Sequence, residues 1–258
     1  MQLRQQWIRG VLVRTGLLAV LGGLVAASFL WCEFDLAALS RSGPRLYEFF
    51  TRLVPPNWSV SDLVLEAAVE TLMIALAGTA LAFLVALPLG FLAASNVTPG
   101  WISHPVKWFL AFLRSIPLIV VAMIFVSAVG LGPFPGMLAI AVHSIGMLAK
   151  FYAEDFETAD AGIIQAVRGT GAGWLQTLRF GLLPQCVPQL VAFTVYRLEL
   201  NFRDATVLGL VGAGGIGYYV HLYVRGFQYD KVAVLLLAII AIVTALDQMT
   251  YWVRRWVK

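Results

Sequence analysis

The sequence predicts an all-α, polytopic membrane protein with about six transmembrane helices. Three observations carry that expectation. Of 258 residues, 60% are hydrophobic and 12% charged, with a mean hydropathy of +0.84; a soluble domain is nearer a quarter charged. Five stretches carry no charge: Thr15–Cys32, Thr71–Val106, Ser115–Ala149, Phe180–Tyr196 and Val232–Leu246. A helix needs about 20 apolar residues to cross the hydrocarbon, which most of these runs reach with their flanks. Proline and glycine fall between the runs, as in GLGPFPG at Gly130–Gly136, and split the third into a hairpin of two spans.

In order, the spans lie near 12–32, 66–94, 105–130, 136–155, 182–204 and 229–252. Residues 1–65 hold the first span and an outer segment, and residues 66–258 form a core with a cytoplasmic loop at 158–182. In the outer segment, LAALSRSGPRLYEFFTRL places apolar residues at helical spacing with arginines between them. That suits a helix in the membrane interface, with a solvated loop as the alternative. The N-terminus has a basic flank, an apolar stretch and small residues at Ala26, Ala27 and Ser28. It therefore reads as a retained first span or as a cleaved signal peptide.

Orientation follows from the basic residues between spans. Arg4, Arg9, Arg14, Lys107, Arg168, Arg179, Arg254, Arg255 and Lys258 share one side, nine against the five of Arg41, Arg45, Arg52, Arg225 and Lys231. Both termini are thus expected in the cytoplasm. Trp7, Trp31, Trp101, Trp108 and Trp252 fall near span ends, as an aromatic belt requires. The net charge of +4 comes with no dense basic run, so a nucleic-acid partner is not expected. Cys32, Cys186 and the histidines 104, 143 and 221 show no metal-ligand spacing, and no metal site is expected.

VGAGGIG, Val211–Gly217, matches the glycine fingerprint of dinucleotide folds. Only YYVHLYVRGFQY separates Gly217 from Asp230, which leaves no room for a helix and a second strand. No Walker A pattern follows either, so the chain itself binds no ATP by that route. Gly212, Gly214, Gly215 and Gly217 instead mark a re-entrant or tightly packed turn between spans five and six, or an ordinary loop.

Asp160–Pro188, DAGIIQAVRGTGAGWLQTLRFGLLPQCVP, is the most informative stretch. Asp160 caps a short helix with Ile163, Ile164 and Val167 on one face; Gly169 and Gly171 end it, and a second short helix follows from Trp174 to Phe180. Such a pair suits docking into a groove of another protein, or lying on the membrane. It resembles the coupling loop of ABC importer permeases: EAA, three residues, Gly, nine residues, Ile-x-Leu-Pro. Gln165-Ala166-Val167, with Arg168 next, then Gly171, and Gly181-Leu182-Leu183-Pro184 occupy those positions. Gln165, Val167 and Gly181 depart from Glu, Ala and Ile.

RSIPLIVVAMIFVSAVGLGPFPG, HSIGMLAKFYAEDFE, LPQCVPQ and YRLELNFRDATVLGLVGAGGIG extend the resemblance from Glu66 to Arg255, to the permease subunit of phosphonate ABC transporters. The resemblance implies a type I ABC importer permease fold and a homodimer in the bacterial inner membrane. It also implies two cytoplasmic ATPase subunits, which hold ATP and Mg, and a soluble phosphonate-binding protein outside. Relatives import phosphite or phosphate esters. The chain is then a transport subunit with no catalytic residue.

Ionisable residues inside spans are costly and usually paired or functional. Arg114 and Ser115, His143 and Ser144, and Arg197, Glu199, Asn201 and Arg203 are the pathway candidates. Glu199–Arg203 and Lys150–Glu154 are four apart and should pair. Arg197 has Phe193, Thr194, Leu200 and Asn201 as helical neighbours, so no carboxylate is expected beside it. Rival functions are the same machine for another solute, such as an amino acid, and an intramembrane enzyme, which would need convergent acids, bases or metal ligands.

Overall fold

The computed structural model describes residues 2–257, with side chains described over 14–256 except Leu39. Lys258 and the side chains of Arg4, Trp7 and Arg9 lie outside this range. The chain divides into two compact units, Met1–Arg52 and Leu53–Lys258.

The first unit contains α1 (Gln2–Trp31) and α2 (Leu36–Arg52). α1 includes an apolar candidate span, Arg14–Trp31. Of the two readings of the outer segment, the helix is the observed one. Asp35 starts α2 by accepting the Ala37 amide at 2.7 Å, and Arg52–Glu48 closes its last turn at 2.6 Å.

The second unit contains α3 (Ser61–Ala93), α4 (Gly100–Ser115), α5 (Leu118–Val129), α6 (Pro133–Thr158), α7 (Ala161–Gly169), α8 (Trp174–Thr177), α9 (Leu183–Gly209), α10 (Gly215–Arg225) and α11 (Tyr229–Val257). Helices α3 and α6 are its spine. α3 buries a stripe of small residues at helical spacing, Thr71, Ala75, Gly78, Ala82, Ala86, Gly90 and Ala93. In a membrane, helices associate through such close-packed surfaces because lipid offers no hydrophobic drive between them. Ile140 and Tyr152 of α6 fill the resulting groove so closely that a Cβ at Gly78 would come 2.7 Å from Ile140 Cγ2. Around Tyr152, the buried Phe156, Leu110, Leu148 and Leu182 join α4, α6 and the start of α9 into one core. Phe91 stacks on Phe156 at 4.3 Å between centroids.

One expected span is corrected. Residues 105–130 do not form a continuous helix: α4 and α5 meet at 82°. Pro117 supplies no amide donor and pushes Ile116 into extended backbone, φ −85° and ψ 120°. α5 has only 12 residues, about 18 Å at 1.5 Å each, and cannot cross alone. The described residues therefore hold five helices long and apolar enough to cross, or six with the bent pair as one span. Trp31, Trp101, Trp108 and Trp252 are all exposed.

Candidate functional site: a buried polar chain and an exposed helical loop

Three helices contribute to a polar chain inside the apolar bundle. Arg197 is the entry, buried at 4% exposure. Its Nε–H donates to Ser144 Oγ at 3.0 Å; Ser144 donates to Asn201 Oδ1 at 3.0 Å; Asn201 Nδ2 donates to Thr79 Oγ1 at 2.8 Å. Thr79 ends the chain on Ala75 O of its own helix at 2.6 Å. Each proton has one acceptor, so the direction of every bond is set by the charged donor at its head. Buried networks satisfied in this way fix side-chain positions.

The chain overturns one expectation. Arg197 does have a carboxylate: Nη2 lies 3.2 Å from Asp204 Oδ2. Asp204 is two turns away, about 10.5 Å along the axis, within reach of the long guanidinium stem. Nη1 contacts Met147 Sδ at 3.4 Å. His143 lies within electrostatic reach of both Arg197 and Asp204 and beside the Ile116 backbone at the α4–α5 bend. Its Nδ1 is buried without a partner.

Of the sequence candidates, His143, Ser144, Arg197 and Asn201 come together. The others do not. Glu199 and Arg203 pair at 2.7 Å on a different face of α9, with Asp247 of α11 at 3.4 Å from Arg203. Arg114 Nε–H donates to Leu110 O at 3.3 Å, and among the described residues it has no ion pair. With Lys107, Lys150, Glu154 and Glu157 it lines a cavity of about 200 Å³ between α4 and α6. There Lys107–Glu157 pair at 2.8 Å and Lys150–Glu154 at 3.3 Å. Ser115 is exposed and spends its hydroxyl on Phe112 O at 2.8 Å. Thr79 and Met147 escape sequence reading; Asp204 is visible there as a further ionisable residue of span five, but its pairing with Arg197 is not, and the seven-residue spacing is the available signal.

The loop between α6 and α9 forms the second feature. Asp160 Oδ1 caps α7 by accepting the Gly162 amide at 2.7 Å. Gly171 turns the chain with φ +83°, a region that disfavours side chains. α8 is shorter than the expected helix to Phe180: it stops at Thr177, and a wide π-type turn, Leu178–Leu182, leads into α9. Pro184 falls in the first turn of α9, where its missing amide costs nothing. Gln165, Ala166, Arg168 and Gly171 are exposed, Val167 and Leu183 half-buried. Ile163, Trp174, Leu175 and Phe180 expose apolar surface on the same loop. Gln185 of α9 accepts the Asp160 amide at 2.9 Å, so the loop is tied to the helix that carries Arg197.

At the other end of α9 the glycines form a tightly packed turn. Gly212, Gly214 and Gly215 have φ of +92°, +78° and +70°. Gly212 O accepts from the Gly132 amide at 3.0 Å, joining the α5–α6 connection, and Thr71 Oγ1 accepts the Ile216 amide at 2.8 Å. Gly217 lies against α9 itself: a Cβ there would meet the Thr206 carbonyl oxygen.

The fold and these two features define a multi-pass membrane protein with the helical architecture of type I ABC importer permeases. The family described as binding-protein-dependent transport system inner membrane component matches residues 86–258, and the chain belongs to that family. The phosphate-import permease protein PhnE of Mycolicibacterium smegmatis is 37% identical over 97% of this chain, which spans 48% of that relative, about half its length. The phosphite transport system permease protein PtxC of Stutzerimonas stutzeri is 37% identical over 93% of this chain and 87% of its own. Among solved structures, the inward-facing MetNI methionine ABC transporter has a chain that superposes with a TM-score of 0.71. It is 23% identical, over 78% of this chain and 99% of that one, and supports the fold alone.

Proposed function

We propose that the chain is the transmembrane permease subunit of an ATP-driven importer for phosphonates or related small phosphorus oxyanions, such as phosphite and phosphate esters. Solute moves by alternating access. Two copies of the chain pair in the inner membrane, with both termini in the cytoplasm. Two cytoplasmic ATPase subunits bind ATP and Mg and dock on the Asp160–Phe180 loop, and a soluble phosphonate-binding protein delivers solute from outside. The chain performs no chemistry itself.

The observation that carries this reading is the placement of Arg197. A guanidinium sits midway along α9, about 20 Å from its loop end, held by a hydrogen-bond chain and tied through Gln185 to an exposed, partly apolar loop. A fixed cation in an apolar bundle suits a passing anion, and the relatives named for phosphate and phosphite supply the class. Conduction requires attraction weak enough to release the solute, and one arginine per chain provides a sparse site. The glycine turn at Gly212–Gly217 is the outer gate in this scheme.

The test is reconstitution of the permease with its ATPase and binding protein. Phosphonate should stimulate ATP hydrolysis and be recovered intact inside the vesicles. Stimulation by an amino acid and not by phosphorus oxyanions would move the solute class while keeping the architecture. Chemically altered phosphonate would indicate an enzyme.

A further inference from the structure

We propose that Asp204 is a built-in substitute for the solute: its carboxylate occupies Arg197 in the resting pathway, and a phosphorus oxyanion enters by exchanging with it. The inference rests on the proposed solute class only for the identity of the anion.

The two halves of the ion pair are held very differently. The Arg197 side chain is 5% exposed and that of Asp204 34%. Arg197 is fixed from behind by Ser144, and through it by Asn201 and Thr79, so its position does not depend on Asp204. Asp204 meets the guanidinium through a single oxygen at 3.2 Å. Arginine pairs carboxylates most strongly through two parallel bonds, and this pair makes one. The second contact on the guanidinium edge is Met147 Sδ, a weak acceptor. Neighbouring Arg203 shows the opposite arrangement. There the carboxylate of Glu199 is 7% exposed, the arginine 47%, and the bond is 2.7 Å. A pair with its acid locked inside is structural. A pair with its base locked inside and its acid half-exposed can exchange partners.

A second observation points to a ligand. His143, half-buried and next to the Ile116 backbone, lies within electrostatic reach of both members of this pair, and its Nδ1 makes no hydrogen bond of good geometry. A polar nitrogen left without a partner is destabilising, and a small shift of the imidazole toward an incoming oxyanion would supply one.

Exchange solves a problem that a bare arginine would create. An unpaired guanidinium in an apolar bundle is strongly destabilising, and it would hold any anion that arrived. With Asp204 in place the resting site is neutral. A monoanion offering one oxygen gains nothing over the resident carboxylate. A tetrahedral oxyanion presents three oxygens and up to two charges, and can span both terminal nitrogens of Arg197 and reach His143. Asp204 lies nearer the glycine turn than Arg197 does, so a solute entering from that end meets the acid first. Selection then comes from competition, with no need for a tight site.

The experiment uses the assembled permease–ATPase complex in nanodiscs, without binding protein, and follows phosphite by the broadening of its phosphorus NMR line. Wild type should broaden the line weakly, at millimolar phosphite. Asp204→Asn should bind about tenfold more tightly or better, equivalent to removing at least about 1.4 kcal/mol of competition. Asp204→Ser should do the same. The charge-neutral double variant Arg197→Met/Asp204→Asn should bind none. Equal binding by Asp204→Asn and wild type, or binding retained by the double variant, overturns the proposal. If the single variants fail to assemble, wild type that binds neither phosphite nor sulfate overturns it. Sulfate titrated in parallel by calorimetry separates this result from the solute class: tighter sulfate binding by Asp204→Asn than by wild type, with no phosphite broadening in either, keeps the exchange and rejects phosphorus oxyanions.

Discussion

Ser144 of α6 and Asn201 of α9 meet inside the bundle at 3.0 Å, both fully buried, and the serine is at once the acceptor for Arg197 and the donor to the amide. Removing this one hydroxyl therefore strands a charged donor as well as a neutral acceptor. Hydrogen bonds to charged groups contribute about 1.5–3 kcal/mol, and interhelical bonds in membranes average about 0.6 kcal/mol. Ser144→Ala should lower the thermal midpoint of the purified complex clearly more than Thr79→Val, which loses the last two links but strands only a neutral amide donor. Equal midpoints for the two variants would show that Arg197 finds another acceptor.

The glycine turn gives a test with an internal control. A Cβ at Gly217 meets the backbone carbonyl of Thr206, which cannot rotate away, whereas one at Gly226 comes no nearer than 3.4 Å to Leu222 O. Gly217→Ala should abolish uptake and reduce the amount of assembled permease, and Gly226→Ala should leave both near wild type. Uptake by Gly217→Ala at wild-type rate would refute the close approach of α9 and α10.

Gly171 differs, because no atom lies within 4 Å of a Cβ built there. Only its φ of +83° resists substitution. Left-handed backbone costs most residues about 1–2 kcal/mol, and Asn least. Gly171→Asn should keep most solute-stimulated ATP hydrolysis, Gly171→Val should lose it while still inserting and dimerising, and Gln165→Glu should be tolerated. Normal stimulation in Gly171→Val would mean that this loop does not couple the ATPase to the spans.

Sidedness is testable with fusions. Reporters placed at the N-terminus and after Lys258 should both report the cytoplasm in a transport-competent protein. An external signal at either end rejects the orientation.

The span count and the loop are legible in the sequence because both leave local marks. Uncharged runs, the Asp160 cap and the positive-φ Gly171 act within a turn of themselves. The bend at Ser115–Pro117 is masked because its residues are as apolar as the rest of the run, although Pro117 is in plain view. The pairing of Arg197 with Asp204 is hidden for a different reason. Spacings of three and four align short side chains on a helix, while a guanidinium stem spans two turns. Thr79 cannot be found at all from sequence, since it is one of many small residues on α3 and becomes a partner only when α9 packs against it.

Gln185 has a mechanical meaning. By holding the Asp160 amide it makes the α7 end of the loop and the foot of α9 a single piece, and the rest of α9 acts as a stiff lever arm. Arg197 sits about 20 Å along that arm. A tilt of only about 3° at the loop would therefore swing the guanidinium sideways by about 1 Å, the difference between a hydrogen bond made and one lost. If the loop is the ATPase contact proposed above, movements there too small to open a pore by themselves are large enough, at that radius, to change which partner Arg197 holds.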